Sequence, residues 1–454
     1  MLIHADLHSH SAYAGGARAG GRNQKEFNKK LVNRFNESNE LVPFKGINLL
    51  GTGDVQFEPW MEFLKTNLSE VDYGIFEYGM NSNSITFQSP KYLLQTELIF
   101  TGPVLDTGKK KRVHVIILFP SFDKVMELNI LLDSWGVSRQ NMARPFIVCD
   151  TTEEVNQRVN AIFDLDPLVE VIPAHVLTPE GVYGGNLRIN YLDDFFGDSA
   201  QRIQAIETGL SADPSILALI PELDNLSLIS NADAHSSKLN RVGREFTSFK
   251  INKFDYKSII DAIRRGRIDK TAEFHPTEGR YFLSGHRGDR TKPAIHKKNQ
   301  FCYFSPKNQP LNDICPQCNK ELTIGVLQRA FEISEIQGGN RSLGEGPKRP
   351  FITMVPLIEI LSYSLKISTI SSKRLLRKYN EIINIVGTEA NLWISDTITE
   401  KLIESRIEEN IISDILLVKN GNFCFKPSGY DGTYGELKIG ETSDFSDIAM
   451  IHET

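Results

Sequence analysis

The chain has 454 residues, 40% of them hydrophobic and 24% charged, with a net charge of −6. That length implies two or three domains with the composition of a soluble globular protein. No run approaches the roughly 18 apolar residues of a membrane span, and the acidic balance excludes a global attraction to nucleic acid, which would need local basic patches.

The first predicted strand, Met1–Leu7, runs into Asp6, His8 and His10. These polar residues interrupt the apolar run at once, so a signal peptide is not expected and a cytoplasmic location is. Further strands are predicted at Gly46–Gly51, Tyr92–Phe100, Arg112–Phe119, Val169–Pro173, Ile203–Glu207 and Leu226–Ser230. Amphipathic runs at Phe122–Trp135, Glu153–Phe163 and Phe254–Arg265 lie between several of them. Strand–helix alternation with continuous apolar strands predicts a parallel α/β sheet or barrel.

From about Phe274 the texture changes. The stretch HRGDRTKPAIHKK (286–298) carries five Lys or Arg against one Asp and has no apolar periodicity. A Cys315–Pro–Gln–Cys318 knuckle follows, then a Gly-rich basic loop, QGGNRSLGEGPKRP. Helices are predicted at Val355–Leu365, Ser371–Ile385 and Glu400–Ile415, with short strands around Gly-rich turns at the end. The expected domains are 1–275, 276–335 and 336–454.

Ligand-type side chains gather at the ends of the early strands. His8 and His10 share one face of a period-two strand. Asp54 ends the second strand, Glu97 and His114 lie within the next two, and His175, Glu207, Asp233 and His235 follow the last three. Parallel barrels build their sites at this C-terminal rim. Neutral imidazoles suit zinc, manganese and iron, and a carboxylate can bridge two cations. Two ions roughly 3.5–4 Å apart suit in-line attack on a phosphodiester, one activating water and the other stabilising the leaving oxygen. Phosphate-ester hydrolysis is the reaction this set serves most naturally, while amide hydrolysis and deamination stay open on metal chemistry alone.

These residues resemble the polymerase-and-histidinol-phosphatase (PHP) family. The match is closer to one branch, endonuclease Q. ADLHSHS, GTGD with Trp60, IPAHVLTP, AIETGLSADP, SNADAHS with KLNRVGRE, CPQCNKELTIGVL and PSGYDGTYG are similar to that branch, in the same order and over nearly the whole chain. The resemblance implies a distorted (β/α)7 barrel, then a small zinc-binding domain and a mainly helical C-terminal region. It implies one divalent ion (zinc, manganese or magnesium) on His8, His10, Glu97 and Asp233, and a second on Glu97, His114 and His175, with Glu97 bridging. It sets Asp54 and His235 where a third ion or substrate contacts would be, so Asp233, Glu97, Asp54 and His235 are the expected catalytic residues. The implied activity is nicking of DNA on the 5′ side of deaminated bases (deoxyuridine, deoxyinosine) or abasic sites, with the damaged nucleotide extruded from the stack.

This chain departs from the branch in four places. Where the branch usually has a His three residues after the Asp of GTGD, it has Phe57, which cannot ligate. The loop after His10, SAYAGGARAGG, has no acidic residue. Both departures bear on the third ion. Gly136–Arg144 and GVYGGNLRINYL also match poorly, so substrate-side contacts are expected to differ.

The knuckle spacing of Cys315 and Cys318 suits a structural zinc in a reducing compartment. Cys302 is a third ligand, His296 the preferred fourth and His286 the second choice. Such an ion would fold a segment with little apolar content. It would also hold Arg287, Arg290, Lys297 and Lys298 and the aromatics Tyr303 and Phe304 for phosphate and base contact. Lys373, Arg374, Arg377 and Lys378 share a predicted helix, either as a second backbone track or as a plain solvated face. GYDGTYG reads as a structural turn, and Cys149 and Cys424 as buried thiols. Damaged DNA is the expected partner and a sliding clamp a further candidate, although the C-terminus carries no clear clamp-binding motif. Two other readings compete: a small-molecule phosphoesterase, and a non-catalytic DNA-binding derivative with a reduced metal site.

Overall fold

The protein was analysed as a computed structural model that describes residues 1–11, 39–79, 90–105, 107–138, 144–288, 300–442 and 444–452. The main sheet uses β1 (Leu2–Asp6), β2 (Leu49–Gly51), β3 (Leu68–Asp72), β4 (Ile75–Tyr78), β5 (Lys91–Val104), β6 (Lys109–Phe119), β7 (Phe146–Val148) and β8 (Glu170–Pro173). After the separate parallel pair β9 (Ala205–Glu207) and β10 (Ser227–Ile229), it continues in β11 (Phe246–Lys250) and β12 (Ile268–Phe274). A three-stranded sheet holds β13 (Ser284–His286) and β14 (Phe301–Phe304). Beyond it, β15 (Phe351–Met354) returns to the main sheet, β16 (Phe423–Phe425) pairs with β17 (Leu437–Ile439), and β18 (Ala449–His452) completes the three-stranded sheet.

The expected parallel sheet is in fact mixed. β1 runs parallel to β2, and β2 to β5, but β5 and β6 form a long antiparallel hairpin from Leu94↔Phe119 to Val104↔Lys109. Only residues 105–108 connect them, too few for a parallel crossover. β6 is antiparallel to β8, and β11 is antiparallel to both β1 and β12.

Alternation along these strands makes two cores. Ile3, Ala5, Leu49, Leu93, Ile116, Ile172, Ala205, Ile229 and Phe249 join one buried cluster with Ile259, Ile260 and Ile263 of the helix Tyr256–Arg264. Every one of these strands therefore turns one face to a common interior. The opposite faces join the larger cluster that includes helices Phe122–Ser134 and Thr152–Phe163. Each of these two helices starts where a Ser121 or Thr151 side chain accepts a backbone N–H of the first turn.

The C-terminal region is not a separate layer. β15 pairs in parallel with β12, so residues beyond 336 extend the sheet built by the first 275. Buried Lys45 pairs with Glu389 at 2.8 Å, and Glu389 also accepts from the Tyr379 hydroxyl. Helices Leu357–Leu365 and Lys373–Val386 lie where expected. The expected third helix is two, Asp396–Ile403 and Glu409–Lys419. The break falls at Ser405, whose hydroxyl donates to Leu402 O and accepts from Ile407 N, competing with the helical ladder. Among the described residues no helix is long and apolar enough to cross a membrane.

Candidate metal centre and cleft

The C-terminal ends of β1, β8, β9 and β10 converge on the middle of the β5–β6 hairpin, where Glu97 and His114 lie. His8, His10, Glu97, His114, His175 and Glu207 are buried, as is most of Asp233. Three of the convergent residues, Asp54, His175 and Asp233, have positive φ of 48°, 30° and 45°. Backbone strain of this kind is held where surrounding structure over-determines it, and it clusters at functional sites. Gly53 sets up the turn. A Cβ there would lie 2.5 Å from Ser9 O, so only glycine lets the two strand ends meet. The Trp60 indole locks the same turn by donating to Gly53 O at 2.6 Å.

Three imidazoles are oriented from behind. His8 Nδ1 lies 3.0 Å from Glu207 Oε1, His10 Nδ1 3.2 Å from Asp54 Oδ1, and His175 Nδ1 2.7 Å from Thr178 Oγ1. Their Nε2 atoms all turn forward. His8 Nε2 is 3.6 Å and His175 Nε2 3.6 Å from Glu97 Oε1, while His10 Nε2 is 3.5 Å from Glu97 Oε2 and 3.0 Å from Asp233 Oδ1. His114 presents the other nitrogen, its Nδ1 lying 2.7 Å from Glu97 Oε1. Two clusters of possible ligands result, His8–His10–Asp233 and Glu97–His114–His175, with Glu97 reaching toward both.

These residues fit divalent ions. Among the described residues, the buried atoms His8 Nε2, His10 Nε2 and Asp233 Oδ1 have no hydrogen-bond partner, although they approach one another at 3.0–3.7 Å. Imidazoles tethered at one nitrogen and bare at the other are what metal sites use. The electrostatics agree. Burial alone would lower His8, but Glu207, Asp233 and Glu97 outweigh it and hold the ring up at about 10; Asp233 and Asp54 likewise hold His10 at about 9. Despite burial, the imidazoles keep the Glu97 and Asp233 carboxyls well below their usual range. The buried carboxylates thus stay ionised and draw cationic partners.

Asp54 does not face the cleft. Besides His10, it accepts from Ser11 N at 2.8 Å and Ser11 Oγ at 2.6 Å, so it positions His10. Phe57 is buried in the larger core at the start of the helix Glu58–Asn67. His235 stands at the rim, its ring 4.3 Å from that of His10, with burial holding it down at about 4. The loop SAYAGGARAGG lies outside the described residues beyond Ser11.

A cleft of about 720 Å³ opens over His114, His175, Asp233 and His235. Arg144, Arg241, Arg244 and Arg280 line it. Arg144 Nη1 donates to Glu97 Oε2 at 3.0 Å, and Arg241 Nη1 to the Tyr434 hydroxyl at 3.0 Å. Sequence reasoning missed the Glu207 tether, Arg144 and Tyr434. Glu207 had a signal, its place at a strand end. Tyr434 sits in GYDGTYG, whose reading as a purely structural turn is incomplete. Arg144 had none.

The knuckle forms a second candidate centre. β13 and β14 pair with His286 opposite Cys302. Cys302 Sγ is 3.6 Å from Cys315 Sγ, and Cys318 Sγ 3.4 Å from His286 Nδ1. His286 Nε2 lies 2.8 Å from Glu321 O, which makes Nε2 the protonated nitrogen and leaves the Nδ1 lone pair facing the thiols. Among the described residues, the histidine beside the three cysteines is His286, the second choice from the sequence. His296 lies outside the described residues, as do Arg290, Lys297 and Lys298. Arg287 is tied to the GYDGTYG loop, its backbone N donating to Asp431 Oδ2 at 2.9 Å. On the helix Lys373–Val386, Lys378 is paired with Glu381 and Glu408. In the poorly matching loop 181–192, Arg188 pairs with Asp313 at 2.5 Å and Glu332 at 3.0 Å, docking that loop on the knuckle region. Cys149 and Cys424 are buried, as expected.

No family model matches the chain. Among solved structures, the lesion-specific endonuclease Q of Pyrococcus furiosus aligns with TM-score 0.73 and 26% identity, over 97% of this chain and 96% of that one. An endonuclease Q complex with a 27-mer duplex bearing an abasic lesion at the active site aligns with TM-score 0.75 and 26% identity, over 97% of both chains. The chain has the endonuclease Q fold. The likeness to endonuclease Q includes the knuckle and the C-terminal region, since almost nothing is left unaligned. Two sequence relatives are uncharacterised proteins. YqxK of Bacillus subtilis is 25% identical over 446 residues, 96% of this chain and 99% of that protein. A protein of Methanocaldococcus jannaschii is 28% identical over 241 residues, 52% of this chain but only 28% of its own length.

Proposed function

We propose that the protein is a metal-dependent DNA repair endonuclease that cuts the phosphodiester on the 5′ side of a deaminated base or an abasic site. The observation that carries this is the pairing, in one cleft, of a carboxylate–imidazole wall with an arginine wall, in a chain that aligns with endonuclease Q from end to end. In this reading residues 1–275 form a PHP-type barrel, with the knuckle segment and the helical region flanking the cleft mouth.

His8, His10, Glu97 and Asp233 would hold one divalent ion, and Glu97, His114 and His175 a second. Such ions supply an activated water and stabilise negative charge on phosphoryl oxygens. The chain's own residues do the rest. Glu207, Asp54 and Thr178 fix the imidazole orientations, so the site is organised before substrate arrives. Arg241 and Arg280 offer planar donors to DNA phosphates, while Arg244, buried and donating to Ala232 O, backs that wall, and Tyr434, with the Arg241 guanidinium 4.6 Å from its ring centre, offers a face for stacking. Cys302, Cys315, Cys318 and His286 would hold a structural zinc that shapes one side of the cleft. Asp54 is occupied by His10 and Ser11 and Phe57 is apolar, so the two-ion set is the working site.

The test is incubation of the full chain, loaded with Mn²⁺, Mg²⁺ or Zn²⁺, with an end-labelled duplex carrying one deoxyuridine, deoxyinosine or abasic site. A single nick 5′ of the lesion is expected. No nick from protein shown by metal analysis to hold two ions at the barrel would sink the reading. A small-molecule phosphoesterase would instead turn over phosphomonoesters and leave the duplex intact.

A further inference from the structure

Arg144 belongs to a segment in which the chain departs from the sequence pattern it otherwise resembles. Its guanidinium donates to Glu97 Oε2 at 3.0 Å, while its side chain keeps 24% of its surface exposed to the cleft. Glu97 itself is buried, and its other oxygen is taken by His114. Oε2 also lies 3.5 Å from His10 Nε2, on the side of Glu97 that faces the His8–His10–Asp233 cluster. Arg144 therefore holds a carboxylate oxygen that Glu97 would offer to an ion at the His8–His10–Asp233 cluster. Its charge cannot be titrated away. A divalent cation on Glu97 and a guanidinium on the same oxygen repel each other at short range.

We propose that Arg144 is a phosphate-contact residue whose position is coupled to metal occupancy: it docks on Glu97 when ions are absent, and when they bind it turns into the cleft to bind the phosphate being cut. This rests on the nuclease reading. The displaced guanidinium needs an anion, and a phosphodiester brought between the ions and the arginine wall is the anion this cleft is shaped to take. A guanidinium binds a phosphate in bidentate fashion, which an ammonium cannot reproduce.

The test uses the full chain and two variants, R144M and R144K. Mn²⁺ is the probe, because thiolates disfavour it and the knuckle then stays silent. Without DNA, R144M is expected to bind Mn²⁺ about tenfold more tightly than wild type, within the 5–150-fold range of coupled sites, with R144K between. With Mn²⁺ saturating, single-turnover nicking of an abasic duplex by R144M should fall about a hundredfold, while duplex affinity changes little, in line with loss of one transition-state donor. Circular dichroism of each variant checks folding. Unchanged Mn²⁺ affinity in folded R144M overturns the proposal, as does unimpaired nicking. If wild type nicks nothing yet the two proteins differ in Mn²⁺ affinity, the nuclease reading fails and the phosphate contact falls with it. A failure of Arg144 alone shows instead as a fully active wild type and an equally active variant.

Discussion

The two candidate metal centres are built on opposite principles. At the cleft, imidazoles and carboxylates are tethered from behind and turn forward to where the cleft opens over them. At the knuckle, three thiols and one imidazole close on each other inside an apolar cluster of Phe304, Leu322 and Ile324. Open sites with oxygen and nitrogen ligands do chemistry, whereas closed thiolate sites hold structure. Removing a ligand should therefore cost activity at one centre and folding at the other.

The sharpest way to break that contrast is Cys315→Ser. Structural zinc contributes on the order of 10 kcal/mol to small metal domains, so the variant should expose the 276–335 segment to protease, and its thermal midpoint should fall even without DNA. A variant of wild-type stability that had lost only nicking would erase the distinction. Next is Asp233→Ala. It should reduce nicking roughly a thousandfold or more, the several kcal/mol a bound ion supplies to a transition state. Duplex affinity in a gel-shift assay should stay near wild type, and so should the thermal midpoint of ion-free protein. Third is Glu207→Gln, which leaves every direct ligand in place but weakens the tether on His8. Loss of such a partner costs about 10–100-fold in metal affinity, measurable by chelator competition.

The smallest effect concerns charge behind the cleft site. Glu245 and Glu273 are fully buried close together, and desolvation holds both carboxyls well above their usual range. Arg244 beside Glu245, and Asp213 and Glu207 across from the pair, are the charges that face it. An acid protonated in the fold contributes stability that is intact below its ordinary value and is lost as pH climbs through its folded value, about 8 for Glu273. Wild type should thus lose thermal stability between pH 5 and roughly 8.5, and Glu273→Gln should flatten that slope. Equal slopes in the two proteins would mean that Glu273 is already ionised at neutral pH.

Much of the cleft site is legible in the chain because strand chemistry is local. Period two places His8 and His10 on one face, and apolar runs announce the strands whose ends carry Glu97, His114, His175 and Asp233. The helices Phe122–Ser134, Thr152–Phe163 and Tyr256–Arg264 are found within two residues of where their apolar spacing places them. Strand direction is less legible. β5 and β6 each extend past their predicted ends to meet at a tight turn, which reverses the chain where a crossover was expected.

What the sequence determined by itself is the type of ligand and the element that carries it, because both follow from side-chain chemistry and backbone period. Which donors meet was decided only by tertiary structure. His286 lies beside the thiols because β13 and β14 pair with it opposite Cys302, a fact of register that no spacing count contains. Arg144 reaches Glu97 across 47 residues of chain, and Glu207 reaches His8 across 199. Tyr434 enters the cleft from the last 21 residues of the chain and meets Arg241 there. Such contacts depend on how whole elements pack, and packing is a property of the assembled core rather than of any stretch within it.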